Sequence, residues 1–428
     1  MIYQAGQDIE VSIGEVANGG WCVARPDAAP GGDTAGPVIF VRHALPGERV
    51  IARITEVTTR FARADAIKIL TAAPDRVEPP CPHARPGGCG GCDWQHATLP
   101  AQRAMKAAVI GQQLRRLAGV DRTVSVEPLP GEALPGLGWR TRMQFAVRAD
   151  GVAGLRAHRS HEVIDVAECP IAHPAISDLG ITRLRWPGVQ SVEAISGDGM
   201  RAVIVGGRGS KARYEKITAE AVLTRNGRGG AVTAVRGRGY LSQRAAGREW
   251  RVSAGAFWQV HPGAPDALAS AVVAAVQPRP GDAALDLYCG AGLFAGVLAP
   301  LAGPGGTVVG VESDAAAVRD ARHNLREWGW ARVHRGDVAE VLRRGGLPDA
   351  RVVVADPPRA GLAREVIDFL ADGTAERFGY VSCDPATLAR DIGLLLARGW
   401  ELTDLRAFDA FPMTQHVECV ATLVREPG

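Results

Sequence analysis

Residues 283–295, AALDLYCGAGLFA, decide the fold of the carboxyl-terminal part of this chain. An apolar run typical of a buried strand carries Asp286 near its end and turns through Gly290 and Gly292 into a helical pattern. Glycines at such a turn let the backbone approach a bound ligand closely. The third glycine of the dinucleotide-binding pattern is missing, because Ala295 stands in its place, so the turn alone does not identify the ligand.

Helical and strand-like segments alternate around this turn. PDALASAVVAAV precedes it as a helix, and VVGVE, VVVADPP and GYVSCDP follow as strands separated by helical segments. This alternation predicts a doubly wound α/β domain with a parallel sheet at residues 256–428. The closing segments ELTDLRAFDAF and HVECVATLV predict a terminal hairpin whose last strand runs antiparallel to the sheet.

The region ahead of the α/β domain divides in two. Residues 1–72 contain short strands broken by ANGG and DAAPGGDTAGP, which predicts a small β-barrel. Residues 73–255 are expected to form a mostly β central domain. This region begins with a stretch rich in proline, glycine and cysteine and continues with an amphipathic helix at about 99–119, which we expect to pack on the α/β domain.

The composition is typical of a globular protein from a reducing compartment. Of 428 residues, 46% are hydrophobic and 22% are charged, and no apolar stretch is long enough to span a bilayer. The first residues lack the basic segment and apolar core of a secretory signal. Eight cysteines in such a chain favour metal binding or catalysis over disulfides, so we expect a cytoplasmic, monomeric protein with no membrane partner.

Positive charge is concentrated in residues 201–250. This window holds eleven Lys and Arg residues against three acidic ones, although the net charge of the whole chain is only +3. Such a window predicts a surface that binds a polyanion. The alternative is a solvated surface with arginine-biased usage.

Three side chains with reactive chemistry are predicted to meet at one edge of the parallel sheet. Asp356 and Cys383 end successive strands, and the carboxyl ends of parallel strands share one edge. Glu418 opens the antiparallel last strand, which therefore begins at the same edge. A helix follows Cys383, and we expect its N-terminal dipole to favour the thiolate. Taken singly, each side chain could instead be structural.

The strand that ends in Asp356-Pro-Pro favours S-adenosylmethionine over NAD, because methyltransferases acting on bases often carry such a strand end. Glu312, at the end of the strand after the glycine turn, is positioned to take ribose hydroxyls. A thiolate, a carboxylate and a methyl donor together suit methylation of uracil at C5. Cys383 would add to C6, Asp356 would hold the pyrimidine edge, and Glu418 would remove the C5 proton.

The chain resembles the RNA 5-methyluridine (uracil-C5) methyltransferase family. The matching stretches are FWQVHPG, DLYCGAG, VVGVE, DPPRAG, VSCDPATLARD and HVECV. The resemblance covers nearly the whole chain, because the family often begins with a TRAM-type β-barrel and a central domain that holds a cysteine cluster. It implies a class I methyltransferase fold for the α/β domain.

Carried over by motif, the resemblance also implies roles for single residues. Cys383 would be the nucleophile, Glu418 the proton acceptor, and Phe257 an aromatic that stacks on the target base. The pocket for S-adenosylmethionine would be lined by Gln259, Tyr288, Gly290, Gly292, Glu312, Asp337 and Asp356. Two positions depart from the family: His261 and Leu293 stand where the family often has asparagine. One hydrogen bond to the cofactor or the substrate is therefore lost or replaced.

Four further cysteines form a candidate metal site: Cys81, Cys89, Cys92 and Cys169. The first three have the spacing C-x7-C-x2-C in a glycine-rich segment with few apolar residues. By count, four thiolates suit zinc and an iron–sulfur cluster equally well. In the resembling family such a set holds a 4Fe–4S cluster, usually with a shorter first gap, so we favour the cluster. Zinc is the competitor, with His83 or His96 as substitute ligands.

The leading interpretation is an S-adenosylmethionine-dependent RNA uracil-C5 methyltransferase, in which the barrel and the 201–250 window hold the RNA backbone. The cysteine set tilts the expected substrate towards ribosomal RNA, with transfer RNA as the other candidate. The alternatives are a catalytically idle RNA-binding protein and a methyltransferase for a different base or a small molecule.

Overall fold

A computed structural model describes residues 3–25, 37–207, 216–227 and 230–426 of the chain. The amino-terminal strands are β1 Asp8–Ala17, β2 Trp21–Arg25, β3 Val38–Arg42, β4 Arg49–Val57 and β5 Phe61–Thr71. They close into a barrel in the order β1-β2-β3-β5-β4. Alternate side chains of β1 and β4 point inward, which buries Val11, Val50 and Ile54 in the barrel core. The predicted small β-barrel is confirmed.

After the barrel, a loop over residues 72–98 leads into helix α1 Leu99–Gln113. The helix continues as a π turn over Leu114–Ala118. Strand β6 Val126–Pro128 follows it. The central sheet is built from β7 Arg142–Val147, β8 Ala153–Arg156, β9 Val163–Ile164, β10 Val189–Ser196, β11 Arg201–Gly207, β12 Ala221–Arg225 and β13 Val232–Arg236. Its order is β13-β12-β11-β10-β7-β8-β9. Helix α2 Pro174–Ser177 and a 3₁₀ turn at Ile181–Arg183 lie between β9 and β10, and the hairpin of β14 Tyr240–Ala245 and β15 Arg248–Ser253 leads into the α/β domain.

The α/β domain is built on seven further strands: β16 Ala283–Leu287, β17 Thr307–Glu312, β18 Ala331–Arg335, β19 Val352–Ala355, β20 Arg377–Ser382, β21 Glu401–Asp409 and β22 Glu418–Val424. The sheet order is β18-β17-β16-β19-β20-β22-β21-β6. The first five of these strands are parallel, and β22 runs antiparallel to both of its neighbours. This is the predicted doubly wound sheet with a terminal antiparallel hairpin.

Helices cover both faces of this sheet: α3 Ala264–Val276, α4 Leu293–Ala302, α5 Ala315–Asn324, α6 Val338–Arg344, α7 Arg364–Asp372 and α8 Pro385–Leu396. Residues of α3, α4 and α5 share one buried core, and residues of α7 and α8 share the other. The interior strands β16, β19 and β20 are buried almost throughout, as strands covered on both faces must be. In the described part of the chain, no helix combines the length and the apolar character needed to cross a bilayer.

Segments upstream of the α/β domain complete its sheet and core. Strand β6, which sequence reasoning assigned to the central region, pairs in parallel with β21 at the edge of the sheet. Ile110 and Leu114, at the end of α1, lie in the same buried core as Leu388 and Ile392 of α8. A backbone contact supports this packing, because a Cβ on Gly393 would lie 2.8 Å from Leu117 O.

Candidate active site

The glycine turn between β16 and α4 is open on one side and packed on the other. Gly290 (φ +53°) and Gly292 (φ +91°) both adopt the left-handed region, which glycine enters without strain. A Cβ on Gly292 would lie 3.3 Å from the Cβ of Ala321, whereas a Cβ on Gly290 would meet no atom within 4 Å. The turn therefore leaves room for a ligand beside Gly290.

Two acids hold this turn in place. Asp286 is fully buried, and its Oδ2 accepts a hydrogen bond from Ala295 N at 2.7 Å. Burial raises the pKa of Asp286 to about 8. Glu312 Oε2 accepts from Gly290 N at 3.0 Å, and Glu312 Oε1 accepts from Asp314 N at 2.7 Å. Asp286 thus ties the strand to α4, while Glu312 fixes the backbone of the turn at the mouth of the pocket.

The other residues predicted for the donor pocket lie at different depths. Asp337 is exposed at the carboxyl edge of the sheet and caps α6, where its Oδ1 accepts from Glu340 N at 3.1 Å. Tyr288 is half-buried and has φ +64°, a conformation that side chains other than glycine seldom adopt. Gln259 is buried and lines a small cavity beside Ser196, a cavity that the residues of the glycine turn do not line.

Cys383 and Glu418 face each other across neighbouring strands. Ser382 of β20 pairs with Cys419 of β22, so the next position in the register pairs Cys383 with Glu418. Side chains directly opposite in an antiparallel pair have Cβ atoms about 4.5–5.5 Å apart. Cys383 is half-buried and Glu418 is 4% exposed. Asp356, one residue beyond β19, lies at the same edge, and its charge acts on both.

Burial and like charge shift the pKa values of these three groups upward. The pKa of the Cys383 thiol is raised to about 11, first by burial and then by the charge of Glu418. The pKa of Glu418 is raised well above its usual range by burial and by Asp356, and burial also raises the pKa of Asp356. Burial and the neighbouring carboxylates therefore oppose the thiolate that the N-terminal dipole of α8 is expected to favour at Cys383. Asp384 Oδ1 already accepts from the first amides of α8, Ala386 N at 3.0 Å and Thr387 N at 2.9 Å.

Arg359 is a member of this site that sequence reasoning did not single out. A hydrogen bond and the positive charge of its guanidinium lower the pKa of Cys383, and the same charge lowers that of Glu418. Its side chain also lies 3.4 Å from His416 Nε2. The signal was present in the stretch DPPRAG, because a cation three residues after a strand-end acid lies near the same sheet edge.

The connection between β15 and α3 contains two residues discussed above. Phe257 is the aromatic residue predicted to stack on the target base, and His261 stands where the family often has asparagine. Phe257 is 64% exposed, which is unusual for so large an apolar side chain. His261 is fully buried, accepts from Gly263 N at 3.1 Å through Nδ1 and stacks on Trp139 with ring centroids 5.9 Å apart. Leu293, the other departure, is a buried core residue at the start of α4. Both substituted side chains thus contribute to packing.

The four candidate metal-ligating cysteines line a single cavity of about 810 Å³ between the loop after the barrel and the central sheet. Cys81, Cys89 and Cys92 lie on that loop, and Cys169 lies between β9 and α2. Burial raises the pKa of Cys169 to about 11, and the charges of Cys89 and Cys81 add to that effect. Among the described residues, however, no three His, Cys, Asp or Glu side chains are placed to hold one metal ion. The metal site therefore stays a prediction.

The lining of this cavity is strongly basic. The described lining residues include no aspartate or glutamate. They include four arginines, Arg140, Arg156, Arg159 and Arg225. Many arginines of the 201–250 window have acidic partners, including Arg225 of this lining, which pairs with Glu193 at 3.2 Å. Arg201 pairs with Glu220 at 2.8 Å, and Arg244 pairs with Asp198 at 3.2 Å. Arg208, Lys211, Arg213 and Arg228 of that window lie outside the described residues.

Sequence models of three protein families match parts of the chain. The tRNA (Uracil-5-)-methyltransferase model matches residues 349–426, which include the Cys383–Glu418 pair. The TRAM domain model matches residues 4–67, the barrel. The model of protein-L-isoaspartate(D-aspartate) O-methyltransferase matches residues 259–341, which include the glycine turn.

Several curated relatives span the whole chain. An uncharacterized RNA methyltransferase of Streptomyces avermitilis is 49% identical over 98% of both chains. The 23S rRNA (uracil(1939)-C(5))-methyltransferase RlmD of Methylococcus capsulatus is 32% identical over 91% of this chain and 93% of its own. Among solved structures, the tRNA (uracil-54, C5)-methyltransferase of Pyrococcus abyssi in complex with S-adenosyl-L-homocysteine matches with a TM-score of 0.71. That structure is 22% identical and covers 97% of this chain and 100% of its own, so it supports the fold.

The fold, the glycine turn and the relatives together define an RNA methyltransferase. More narrowly, the chain belongs to the RNA uracil-C5 methyltransferase family with a TRAM domain. The family predicted from the sequence motifs is confirmed.

Proposed function

We propose that the protein transfers a methyl group from S-adenosylmethionine to C5 of a uridine in RNA through a covalent bond between Cys383 and C6 of the base. The observation that supports this proposal is that Cys383 and Glu418 directly adjoin the paired residues Ser382 and Cys419, with Asp356 at the same sheet edge. A nucleophile and a proton acceptor on opposite strands can reach adjacent ring carbons of one flipped-out base.

The methyl donor occupies the carboxyl edge of the sheet beside the glycine turn. Gly290 provides the open backbone, and Glu312, already fixed by Gly290 N at 3.0 Å, takes the ribose hydroxyls. Asp337, exposed at the end of β18, is close to the adenine side. Tyr288 and Gln259 complete the pocket in this proposal.

The reaction begins when the Cys383 thiol loses its proton to water and the thiolate adds to C6 of uracil. The resulting enolate attacks the methyl group of the sulfonium through C5, and S-adenosylhomocysteine leaves. Glu418, ionised at this stage, takes the C5 proton; the bond between Cys383 and C6 breaks, and the C5–C6 double bond and the thiolate are restored. The positive charge of Arg359 favours both the thiolate and the ionised Glu418, against the effect of burial.

Substrate binding uses groups outside the catalytic pair. Asp356 holds the polar edge of the pyrimidine from the sheet edge that it shares with Cys383 and Glu418. Phe257, which is 64% exposed, stacks on a base of the RNA. The barrel and the acid-free cavity that contains Arg156 and Arg159 hold the RNA backbone.

The four cysteines of the cavity hold a 4Fe–4S cluster in this proposal. Their fit rests on the donor chemistry, because four thiols from two separate loops line one cavity. The bound cluster would cross-link the loop to the central sheet and neutralise part of the basic lining.

Ribosomal RNA is the favoured substrate. The RlmD relative, named for 23S rRNA, is 32% identical over 91% of this chain, whereas the tRNA enzyme with the matching fold is only 22% identical. The test is methyl transfer from radiolabelled S-adenosylmethionine to total RNA lacking 5-methyluridine, followed by separation of ribosomal and transfer RNA. We expect label in ribosomal RNA and 5-methyluridine in its digest.

Glu418→Gln provides the mechanistic half of that test. This variant should accumulate a covalent, methylated RNA–protein adduct that survives denaturing electrophoresis, and Cys383→Ala should abolish the adduct. Label confined to transfer RNA would overturn the choice of substrate. Label that survives Cys383→Ala would overturn the covalent mechanism, and no label in any RNA would overturn the proposed function as a whole.

A further inference from the structure

The loop 410–417 joins β21 to β22 and ends directly before Glu418, the first residue of β22, so its conformation affects how firmly Glu418 is held. Met413, near the middle of this loop, has φ +68°, in the left-handed region. For a residue other than glycine this conformation is strained, and it persists only where the surroundings hold it.

The groups that hold Met413 come from the segment after the barrel. Asp93 N and Trp94 N each donate to Met413 O at 3.0 Å, and Met413 N donates to Gln102 Oε1 at 2.8 Å. Asp93 Oδ2 in addition accepts from Gln415 N at 3.1 Å. We call Asp93, Trp94 and Gln102 the loop clamp, because all four hydrogen bonds cross from this segment to the loop that precedes Glu418.

Two further contacts tie the same segments together. Lys106 is fully buried, and its ammonium donates to Asp409 and, at 3.0 Å, to Phe411 O at the start of the loop. Cys92, one residue before the clamp, shares a small buried cluster with Met413. The loop before Glu418 and the cysteine loop therefore pack as one unit.

We infer that Asp93 is a positioning residue for the removal of the C5 proton, and that the loop clamp couples the order of the cysteine loop to this step. The inference rests on the proposed function, because it assigns the proton to Glu418. Asp93 acts through the loop: its carboxylate accepts a hydrogen bond from Gln415 N and lies on a segment outside the α/β sheet.

The clamp acts on one half of the reaction because the two catalytic groups have different supports. Cys383 lies between β20, an interior strand of the sheet, and α8. None of the four clamp hydrogen bonds involves a residue of β20 or α8. Glu418 follows the clamped loop directly. Loosening the clamp should therefore leave addition and methyl transfer in place and slow the removal of the C5 proton.

The test compares Asp93→Ala, which removes the acceptor for Gln415 N, with Asp93→Asn, whose amide oxygen can still accept. Asp75→Ala is the matched control, because Asp75 lies on the same segment but accepts from Thr98 Oγ1 at 2.8 Å, away from the loop. The full-length protein is mixed with substrate RNA carrying tritium at C5 of uridine. Methyl transfer, tritium release and the denaturation-resistant adduct are then followed in a single turnover.

For Asp93→Ala we expect tritium release to slow by about ten- to a hundredfold, as is usual for misplacement of a catalytic group by about 1 Å. The methylated adduct should accumulate while the affinity for RNA stays unchanged. Asp93→Asn should restore most of the release rate, and Asp75→Ala should match the wild type. If Asp93→Ala does not fold, Gln102→Leu, which removes the acceptor for Met413 N, should show the same accumulation.

The opposing results are equally specific. Equal slowing of methyl transfer and tritium release without an adduct would mean that the clamp is merely structural, and wild-type release in both clamp variants would overturn the inference. Glu418→Gln separates this failure from that of the proposed function: if that variant gives no adduct, the assignment of Glu418 falls first.

Discussion

Two sets of reactive side chains are assembled differently. One is the sheet edge with Asp356, Cys383 and Glu418, here called the catalytic edge, and the other is the cavity lined by the four cysteines. Cys383 and Glu418 stand next to a hydrogen-bonded strand pair, so sheet register alone brings them together. The cysteines of the cavity lie on loops, where the backbone pairs through isolated bridges such as those of Cys89 with Ala157 and of Arg140 with Ala172. A sheet edge therefore places reactive groups by register, whereas a loop needs tertiary contacts or a bound group to do so.

The largest effect is expected at the catalytic edge. Cys383→Ala removes the nucleophile and should lower kcat on the order of 10⁴-fold or more, measured as methyl transfer to RNA in multiple turnover. Cys419→Ala is the control, because this buried neighbour lies on the same strand pair yet points to the opposite side of the sheet. Retention of activity in Cys383→Ala, or an equal loss in both variants, would contradict the assignment.

A comparable change in the cavity should act on stability. Cys169 is the proposed cluster ligand on the loop between β9 and α2. For Cys169→Ser we expect loss of iron and sulfide from anaerobically purified protein and a stability loss of several kcal/mol. Cys22→Ala, a buried thiol of the barrel, should keep the iron and cost about 1 kcal/mol. Stoichiometric zinc in place of iron in the wild type would contradict the cluster.

The electrostatics of the edge predict the direction of the pH profile. Because the pKa of Cys383 is raised to about 11, the thiolate fraction grows tenfold per pH unit below that value. The raised pKa of Glu418 acts in the same direction, since its ionised form is the one required. We therefore expect kcat/KM, which reports the free enzyme, to rise from pH 6 to pH 9 by about tenfold per unit. A plateau or a decrease above pH 7 would show that Cys383 is already ionised in the free protein.

The smallest effect is expected for RNA binding and compares the cavity with the 201–250 window. Arg159→Ala removes a cation from an acid-free lining and should weaken RNA binding severalfold, with the salt dependence reduced by about one charge. Arg244→Ala removes an exposed arginine that pairs with Asp198, and the salt dependence should stay unchanged. A larger effect of Arg244→Ala would move the RNA path to the window. Filter binding or fluorescence anisotropy at several salt concentrations measures both.

Much of the catalytic edge was predictable because strand ends can be read from periodicity. The order of Asp356, Cys383 and Glu418 along one edge followed from the parallel sheet and the antiparallel last strand. Arg359 was missed because a cation after a strand looks like any exposed arginine until its distance to the thiol is known. The raised pKa of Cys383 was missed for a related reason. It comes from burial and two neighbouring carboxylates, and neither burial nor those neighbours can be read from the residues around Cys383.

The sequence by itself determined the class of the fold, the family and the residue types at the catalytic edge, because motif spacing and hydrophobic period are local properties of the chain. The tertiary structure alone decided which distant segments support that edge. Strand β6 joins the sheet, and Asp93 holds a loop more than three hundred residues later in the chain. Such contacts depend on how folded surfaces meet, and no local pattern records them.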